Sequence, residues 1–170
     1  MRSREDARRV VSILNKFKDR VHSWDTETIA IDAKEESPVG NGKVLCASVF
    51  IGPDIDFGSG PRVFIDNYAD AENIIMEFKE YFENPNILKC WHNYGFDRHI
   101  LYNHGINVQG FGGDTMHMAR LVDPSLTPNS YALSALSELY ENDIKKIRKT
   151  IIDNMKNETL PDPDLEAKRL

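Results

Sequence analysis

The sequence predicts an α/β protein in which a mixed five-stranded sheet is flanked by helices. Its 170 residues suit one compact domain with a sizeable core. Three apolar segments in the first part of the chain are separated only by turn residues, which is typical of consecutive antiparallel strands. A segment with helical periodicity then precedes a fourth apolar strand, which is the pattern of a crossover connection.

The first expected element is an amphipathic helix over residues 4–19. It lacks the apolar core of a secretory signal, and its acidic residues Glu5, Asp6 and Asp19 count against an organelle-targeting peptide. We therefore interpret it as a structural helix that leads directly into the domain. The apolar positions with helical spacing are Ala7, Val10, Val11, Leu14 and Phe17.

Turn residues divide the rest of the chain into further elements. Gly and Pro punctuate residues 52–61, which we expect to form a hairpin loop. One domain is expected over residues 1–156, followed by a polar, Pro-containing tail over 157–170. The expected strands are 20–31, 44–51, 62–66, 87–91 and 107–111, and the expected helices are 69–84, 96–104, 114–122, 131–140 and 142–156.

The composition argues against two classes of protein. A net charge of −6 does not suit a protein that coats nucleic acid through a broad basic surface. No window approaches the ~20 apolar residues that span a bilayer, so no membrane insertion is expected. Cys46 and Cys90 each lie in an apolar stretch, and we expect packed core thiols rather than a disulfide or a metal pair.

Two acidic residues, Asp25 and Glu27, stand near the end of the first expected strand. Strand side chains alternate between faces, so both carboxylates point the same way. Neighbouring carboxylates repel each other and are costly to bury unpaired. A hard divalent cation such as Mg²⁺ or Mn²⁺ resolves both problems. The same pair is also compatible with two solvated acids at an exposed strand end.

A second acidic feature is Asp97, which follows an apolar strand and a turn at Gly95 in the segment WHNYGFD. An acid there is equally a first-turn residue that the helix dipole favours. Asp114 is expected to cap the helix that follows it rather than to bind metal. Four histidines form no recognisable metal-ligand spacing, so surface or packing roles are expected for His92, His99, His104 and His117.

Together, Asp-x-Glu on the first strand and Asn-x-x-Phe-Asp after the fourth resemble the first two motifs of the DEDD exonucleases. The segments GF and DTMHMARL of residues 110–121 and YAL with AL of residues 131–136 widen the match. In order and spacing, residues 8–139 resemble the proofreading domain of plant and protist organellar family A DNA polymerases. The resemblance implies a ribonuclease H-like fold and 3′–5′ phosphodiester hydrolysis with two Mg²⁺ or Mn²⁺ ions.

The resemblance also implies roles for individual residues. The counterparts of Asp25 and Glu27 hold the first metal in that family, and Asp25 bridges to the second metal, whose site Asp97 completes. Thr26, Asn93 and Phe96 are expected to bind the terminal nucleotide of a single-stranded 3′ DNA end, with stacking on the aromatic ring. RNA is an alternative substrate, because related enzymes use the same acids on either polymer. A mitochondrial or plastid location is implied by the resemblance alone.

The third motif of the family, a Tyr or His four residues before a final Asp, has no match in the sequence. Asp143 follows Tyr140 by three residues and is the nearest candidate, while Asp162 and Asp164 in the tail are weaker ones. We therefore expect the third-motif helix, and with it the fourth carboxylate, to be missing.

Three explanations of the missing motif stay open. The chain is a fragment of a longer polymerase, a short paralogue that receives its last ligand from a partner, or a catalytically incomplete domain. In the last case it is a structural or nucleic-acid-binding subunit of a larger organellar assembly. The basic run over residues 145–149 is either a solvated helix face or a contact for a nucleic-acid backbone.

Overall fold

The computed structural model describes residue 1, residues 3–68 and residues 73–141. The chain divides into two compact units, residues 1–122 and residues 123–170. The helix expected over 142–156, the domain boundary at 156, the basic run, Asp143, Asp162 and Asp164 all lie outside the described residues. None of the helices within the described ranges is long and apolar enough to cross a membrane.

The first unit follows the predicted order of elements. Its helices are α1 (Arg4–Lys16), α2 (Lys79–Phe82), α3 (Tyr94–Asn103) and α4 (Thr115–Val122). Its strands are β1 (His22–Ile29), β2 (Lys43–Phe50), β3 (Arg62–Asp66), β4 (Lys89–Trp91) and β5 (Phe111–Asp114). The first helix ends three residues before the expected limit at residue 19.

The prediction of one continuous α-helix over residues 69–84 is wrong. A 3₁₀ segment, Ile74–Phe78, precedes the single turn of α2, and residues 69–72 are not described. Asn73 enters the 3₁₀ segment in the left-handed region, with φ 59°. The carboxamide oxygen of Asn67 accepts a hydrogen bond from the backbone N–H of Ile75 at 2.9 Å. A side chain from the preceding loop thus provides an acceptor for an N–H group in the first turn of the 3₁₀ segment.

The fifth strand lies later than expected, at Phe111–Asp114 rather than over residues 107–111. Two of its four residues are glycines, which propensity assigns to a loop. Gly110 comes just before it with φ 69°, and a Cβ there would clash with the carbonyl oxygen of Ile87. That close approach lets the carbonyl of Gly110 accept from the N–H of Lys89 at 2.8 Å and brings β5 beside β4.

The five strands form one mixed sheet, as predicted, and their order across it is β3-β2-β1-β4-β5. Neighbouring strands run antiparallel for β1 with β2 and β2 with β3, and parallel for β1 with β4 and β4 with β5. The core face of the sheet packs against helical segments, and its apolar cluster includes Trp24, Ala47, Val49, Ile65, Phe78, Phe82, Ile100 and Leu101. The opposite face, which we call the acidic face, carries Asp25, Glu27 and Asp66.

A chain of hydrogen bonds runs through the aromatic part of the core. The indole N–H of Trp24 donates to the hydroxyl of Tyr81 at 2.8 Å, and that hydroxyl lies 2.7 Å from Nδ1 of His22. The other ring nitrogen of His22 faces the carbonyl of Phe17 at 3.0 Å and therefore carries the proton. Burial lowers the pKa of His22, which keeps the ring neutral and Nδ1 an acceptor.

Lys89 is fully buried at the start of β4. Its ammonium donates to three backbone carbonyls, those of Phe82 at 3.1 Å, Asn84 at 2.8 Å and Gln109 at 3.0 Å. All three N–H donors are therefore used, and two of their acceptors, the carbonyls of Phe82 and Asn84, lie at the end of α2 and just beyond it. Burial lowers the pKa of Lys89 to about 8.

In the second unit, a 3₁₀ segment, Pro128–Tyr131, precedes helical backbone over residues 133–141. The expected helix over residues 131–140 therefore begins two residues late. The hydroxyl of Tyr131 donates to the carbonyl of Asp123 at 2.7 Å, which holds the turn before this helix.

Candidate active site

Polar side chains gather where the three parallel strands of the sheet end. Asp25 and Glu27 lie in the middle of β1, His92 follows β4, and Asp114 is the last residue of β5. Carboxyl ends of parallel strands meet at one edge of a sheet, and this edge is the usual place for ligands in α/β proteins.

Asp25 and Glu27 both project from the acidic face and are exposed, whereas Trp24 and Thr26 beside them point into the core. The predicted alternation along β1 is thus confirmed. Asp25 pairs with Ser48 on β2, and a bulge follows Glu27. Desolvation by the surrounding protein atoms raises the pKa of Asp25, and the electrostatic effect of the neighbouring His92 opposes that rise.

Asp97 lies in the first turn of α3 and is only 4% exposed. Its Oδ1 accepts hydrogen bonds from the backbone N–H of Thr26 at 3.1 Å and from Oγ1 of Thr26 at 2.5 Å. Burial raises the pKa of Asp97 to about 7, the bonds from Thr26 oppose the rise, and the charge of Asp25 adds to it. Asp25 and Asp97 are therefore electrostatically coupled, although they come from different elements.

The expected metal site at Asp25, Glu27 and Asp97 stays a prediction. Among the residues that the structure describes, no three His, Cys, Asp or Glu side chains are grouped so that they could hold a metal ion. Asp97 bonds to Thr26, whose side chain points into the core, and Asp25 and Glu27 flank Thr26 on the acidic face. The donors themselves are hard oxygens, which suit Mg²⁺ and Mn²⁺.

Two of the three residues expected to bind a nucleotide lie at the start of α3. Asn93 adopts the left-handed region (φ 66°, ψ 51°), which costs a non-glycine residue roughly 1 kcal/mol. Its side chain is exposed and makes no capping bond to α3. Phe96 is half-buried and packs against the core. The third residue, Thr26, is 7% exposed and holds Asp97 instead of presenting its hydroxyl to solvent.

Asp114 caps two helices rather than one. Its Oδ1 accepts from the N–H of Met116 at 2.9 Å, which is the expected cap of α4. The carboxylate also accepts from the N–H of Asn93 at 3.0 Å and of Tyr94 at 2.7 Å, at the start of α3. Burial acts to raise the pKa of Asp114, but the backbone bonds together outweigh it and lower the pKa. The sequence gives no sign of the second cap, because the two helices are about 20 residues apart.

His92 is a site residue that sequence reasoning missed. It was expected to have a surface or packing role, but Nδ1 lies 2.9 Å from Oγ1 of Thr115, and the ring affects the pKa of Asp25. The sequence signal that could have identified His92 as a site residue is its position directly after the expected fourth strand. His104, by contrast, has a packing role, since its Nε2 accepts from the N–H of Val44 at 2.9 Å.

Both cysteines are free, as expected, but they are half-buried instead of lying in the core. Cys46 stands between Glu27 and Asp66 in the strand register, and Cys90 is level with Ser23. Burial raises the pKa of both thiols, and the charge of Glu27 adds to the effect at Cys46.

Comparison with known proteins identifies the family. Residues 1–166 match the family model described as 3′-5′ exonuclease. DNA polymerase I A, chloroplastic/mitochondrial, of Arabidopsis thaliana is 46% identical over 131 residues, which are 75% of this chain and 12% of that protein. DNA polymerase I B, mitochondrial, of Oryza sativa subsp. japonica is 45% identical over 139 residues, which are 78% of this chain and 13% of that protein. The chain thus spans only 12–13% of the length of these relatives.

Solved structures agree on the fold. Escherichia coli RNase D, an exoribonuclease, matches with a TM-score of 0.52 and 17% identity over 78% of this chain and 31% of its own. Pol1 from M. smegmatis matches with a TM-score of 0.52 and 14% identity over 68% of this chain and 18% of its own. The expected ribonuclease H-like fold is confirmed. The chain belongs to the 3′–5′ exonuclease family, and plant organellar DNA polymerase I proteins are among its relatives.

Proposed function

We propose that the chain is a metal-dependent 3′–5′ exonuclease domain that proofreads for an organellar DNA polymerase. The observation that supports this most directly is the position of Asp97, a buried carboxylate that Thr26 holds at the strand that carries Asp25 and Glu27. Two carboxylates from separate elements lie near each other at the carboxyl edge of the sheet, and one of them has a pKa raised to about 7. Uncompensated acids of this kind are typical of sites that await a cation.

Asp25, Glu27 and Asp97 are the residues that would hold Mg²⁺ or Mn²⁺. When bound, such ions lower the pKa of a water and neutralise the charge that builds on the phosphate during hydrolysis. Thr26 keeps Asp97 beside Asp25 through its two hydrogen bonds. Asp143 lies outside the described residues and stays a candidate for a further metal ligand.

The start of α3 would hold the terminal nucleotide. The carboxamide of Asn93 is not used as a cap, because the left-handed backbone turns it away from the capping position. Asp114 fixes that backbone by accepting from the N–H groups of Asn93 and Tyr94. Phe96 offers the ring on which an unpaired base would stack. The names of the relatives support DNA as the polymer and an organelle as the location.

The test is degradation of a 3′-unpaired DNA in Mg²⁺ or Mn²⁺, with an RNA of the same sequence alongside. The purified chain should shorten the DNA from its 3′ end, and Asp25→Ala and Asp97→Ala should reduce the rate by at least roughly 100-fold. Glu35→Ala, which removes an exposed acid away from the site, should leave the rate unchanged. No cleavage by the unsubstituted chain would refute the proposal and favour the catalytically incomplete structural module.

A further inference from the structure

The pairing of β1 with β2 is irregular directly after Glu27. Glu27 itself pairs with Cys46 of β2. The next residue, Thr28, pairs with Val44, so Leu45 has no partner on β1. An extra residue of this kind is a β-bulge, which bends the strand pair and increases its twist locally. The bulge therefore helps to set the direction in which the side chain of Glu27 leaves the sheet.

The backbone groups at this bulge bond to segments other than β1. The N–H of Val44 donates to Nε2 of His104 at 2.9 Å. The carbonyl of Val44 accepts from the carboxamide of Asn67 at 2.9 Å, and the carbonyl of Leu45 accepts from the backbone N–H of Asn67 at 3.0 Å. Because buried backbone groups need partners, these side chains support the bulged conformation of β2.

His104 directly follows α3, the helix whose first turn carries Asp97. The helix is thus bonded to the strand pair at both of its ends. At its start Asp97 accepts from Thr26, the residue before Glu27. At its end His104 accepts from Val44, whose partner on β1 is the residue after Glu27. The two contacts together relate the helix that carries Asp97 to the strand that carries Glu27.

Asn103, the last residue of α3, adds a second contact at the same end of the helix. Its carboxamide nitrogen donates to the carbonyls of Pro38 at 2.9 Å and Asn41 at 2.6 Å. Its carboxamide oxygen accepts from the N–H of Gly40 at 3.0 Å. All three partners lie in the connection between β1 and β2, so the end of α3 holds both this connection and the start of β2.

The hydrogen bonds fix the orientation of the His104 ring. The N–H of Val44 only donates, so Nε2 accepts and the proton of the neutral ring lies on Nδ1. Nδ1 faces Oδ1 of Asn73 at 3.1 Å, so both ring nitrogens have partners. Burial lowers the pKa of His104, and the positive charge of Lys43 adds to the effect, which keeps the ring neutral.

We propose that His104 is a positioning residue for the metal site: it holds the bulge after Glu27 and so keeps Glu27 in a fixed position relative to Asp97. This inference rests on the proposed exonuclease function. His104 acts through Val44 and through α3, and loss of its acceptor nitrogen would free the bulge to change shape. Asp97 would keep its bonds to Thr26, so the two acids would no longer be held as a pair.

Binding of Mn²⁺ without nucleic acid, followed by the electron paramagnetic resonance signal of the free ion, tests the proposal without cleavage. His104→Leu removes the acceptor and should raise the dissociation constant for Mn²⁺ by about 10- to 100-fold, the usual cost of losing a residue that orients a metal ligand. His104→Gln places an acceptor oxygen in the same region and should recover most of the affinity. In EDTA, the amide resonances of Val44 and Glu27 should shift in His104→Leu and return towards their original positions in His104→Gln.

A second variant separates positioning from a general loss of stability. Val10→Ala leaves a cavity under α1 and should lower the free energy of unfolding, but it should not change the affinity for Mn²⁺. At one Mn²⁺ concentration, His104→Leu should lower kcat and leave KM for the DNA nearly unchanged. The reason is that Asn93 and Phe96, the residues proposed to hold the nucleotide, lie at the opposite end of α3.

The outcomes distinguish this inference from the proposed function. Mn²⁺ binding that Asp25→Ala abolishes but His104→Leu leaves intact would overturn the role of His104 and leave the exonuclease standing. Equal loss of affinity in His104→Leu and Val10→Ala would likewise overturn it, because the effect would then follow stability alone. Neither Mn²⁺ binding nor cleavage by the unsubstituted chain would refute the proposed function, and this inference with it.

Discussion

Thr26 and Asp97 are joined by two hydrogen bonds that end on the same carboxylate oxygen, Oδ1. The hydroxyl and the backbone N–H of one strand residue thus hold the acid of a helix about 70 residues away. These bonds stabilise the carboxylate, but burial outweighs them and the pKa of Asp97 still rises to about 7. The free protein consequently holds a carboxylate that its surroundings disfavour.

Asp97→Asn is therefore expected to stabilise the metal-free protein at pH 8. The folded-state pKa of Asp97, about 7, lies above its ordinary value of 3.8. The stability that comes from protonated Asp97 is therefore complete below pH 3.8 and is lost as the pH rises through about 7. Asparagine mimics the protonated acid at every pH. The gain in the free energy of unfolding from Asp97→Asn should therefore be larger at pH 8 than at pH 5 by roughly 2–3 kcal/mol.

Urea denaturation in EDTA at both pH values measures this difference. Glu35→Gln is the matched control, because it makes the same acid-to-amide change at an exposed position away from the site. The control should show no comparable dependence on pH. An Asp97→Asn effect that is the same at pH 5 and pH 8 would contradict the raised pKa.

Asp114→Asn is expected to destabilise the fold by about 2–4 kcal/mol, because the amide group of asparagine would face backbone N–H donors that now bond to a carboxylate. The starts of α3 and α4 should both loosen, since Asp114 caps both helices. Urea denaturation measures the loss, and hydrogen exchange at the amides of Asn93 and Tyr94 locates it.

The control for the double cap is Asp123→Asn. The carboxylate of Asp123 accepts from the backbone N–H and the hydroxyl of Ser125, two residues further along the same turn. The loss of such a local contact near the surface should cost clearly less than the loss of the Asp114 carboxylate. Equal costs for the two variants would contradict the double cap.

Trp24→Phe and Trp91→Phe should differ in cost although both tryptophans are buried. The indole N–H of Trp24 bonds to Tyr81, whereas that of Trp91 has no partner among the described residues. Removing the bonded N–H also leaves the hydroxyl of Tyr81 without its donor, so Trp24→Phe should cost about 1–2 kcal/mol more than Trp91→Phe. Denaturation of both variants in urea under the same conditions compares them, and the reverse order would show that packing, not hydrogen bonding, decides.

Mn²⁺ is expected to raise the thermal midpoint of the EDTA-treated protein, because a cation that binds only the folded state stabilises it. The gain should reach about 2.7 kcal/mol when the ion is present at 100 times its dissociation constant. Asp25→Ala should lose most of this gain, and Glu35→Ala should keep it. A midpoint shift of the same size in Asp25→Ala would place the bound ion elsewhere on the protein.

The sequence was sufficient for the succession of strands along the chain and for the place of the acids on them. Alternation along β1 put Asp25 and Glu27 on one face, and the segment around Asp97 marked the start of a helix. Both signals are local, because they depend on residues only a few positions apart.

What could not be predicted depends on contacts between distant segments. The bonds from Thr26 to Asp97, from Asn93 to Asp114 and from His92 to Thr115 join residues 71, 21 and 23 positions apart. The hydrophobic periodicity of a sequence carries no information about such distant pairs. The shift of β5 has the same origin, since a glycine-rich segment becomes a strand only because β4 lies beside it.

The buried ammonium of Lys89 lies at the opposite end of β4 from His92, only three residues away. One short strand thus has an anchor at its first residue and the candidate active site just beyond its last. Changes at the chemical end need not disturb the anchor, so the domain should tolerate loss of activity without loss of its architecture. Homologues that lose the activity can therefore keep this fold and acquire other functions.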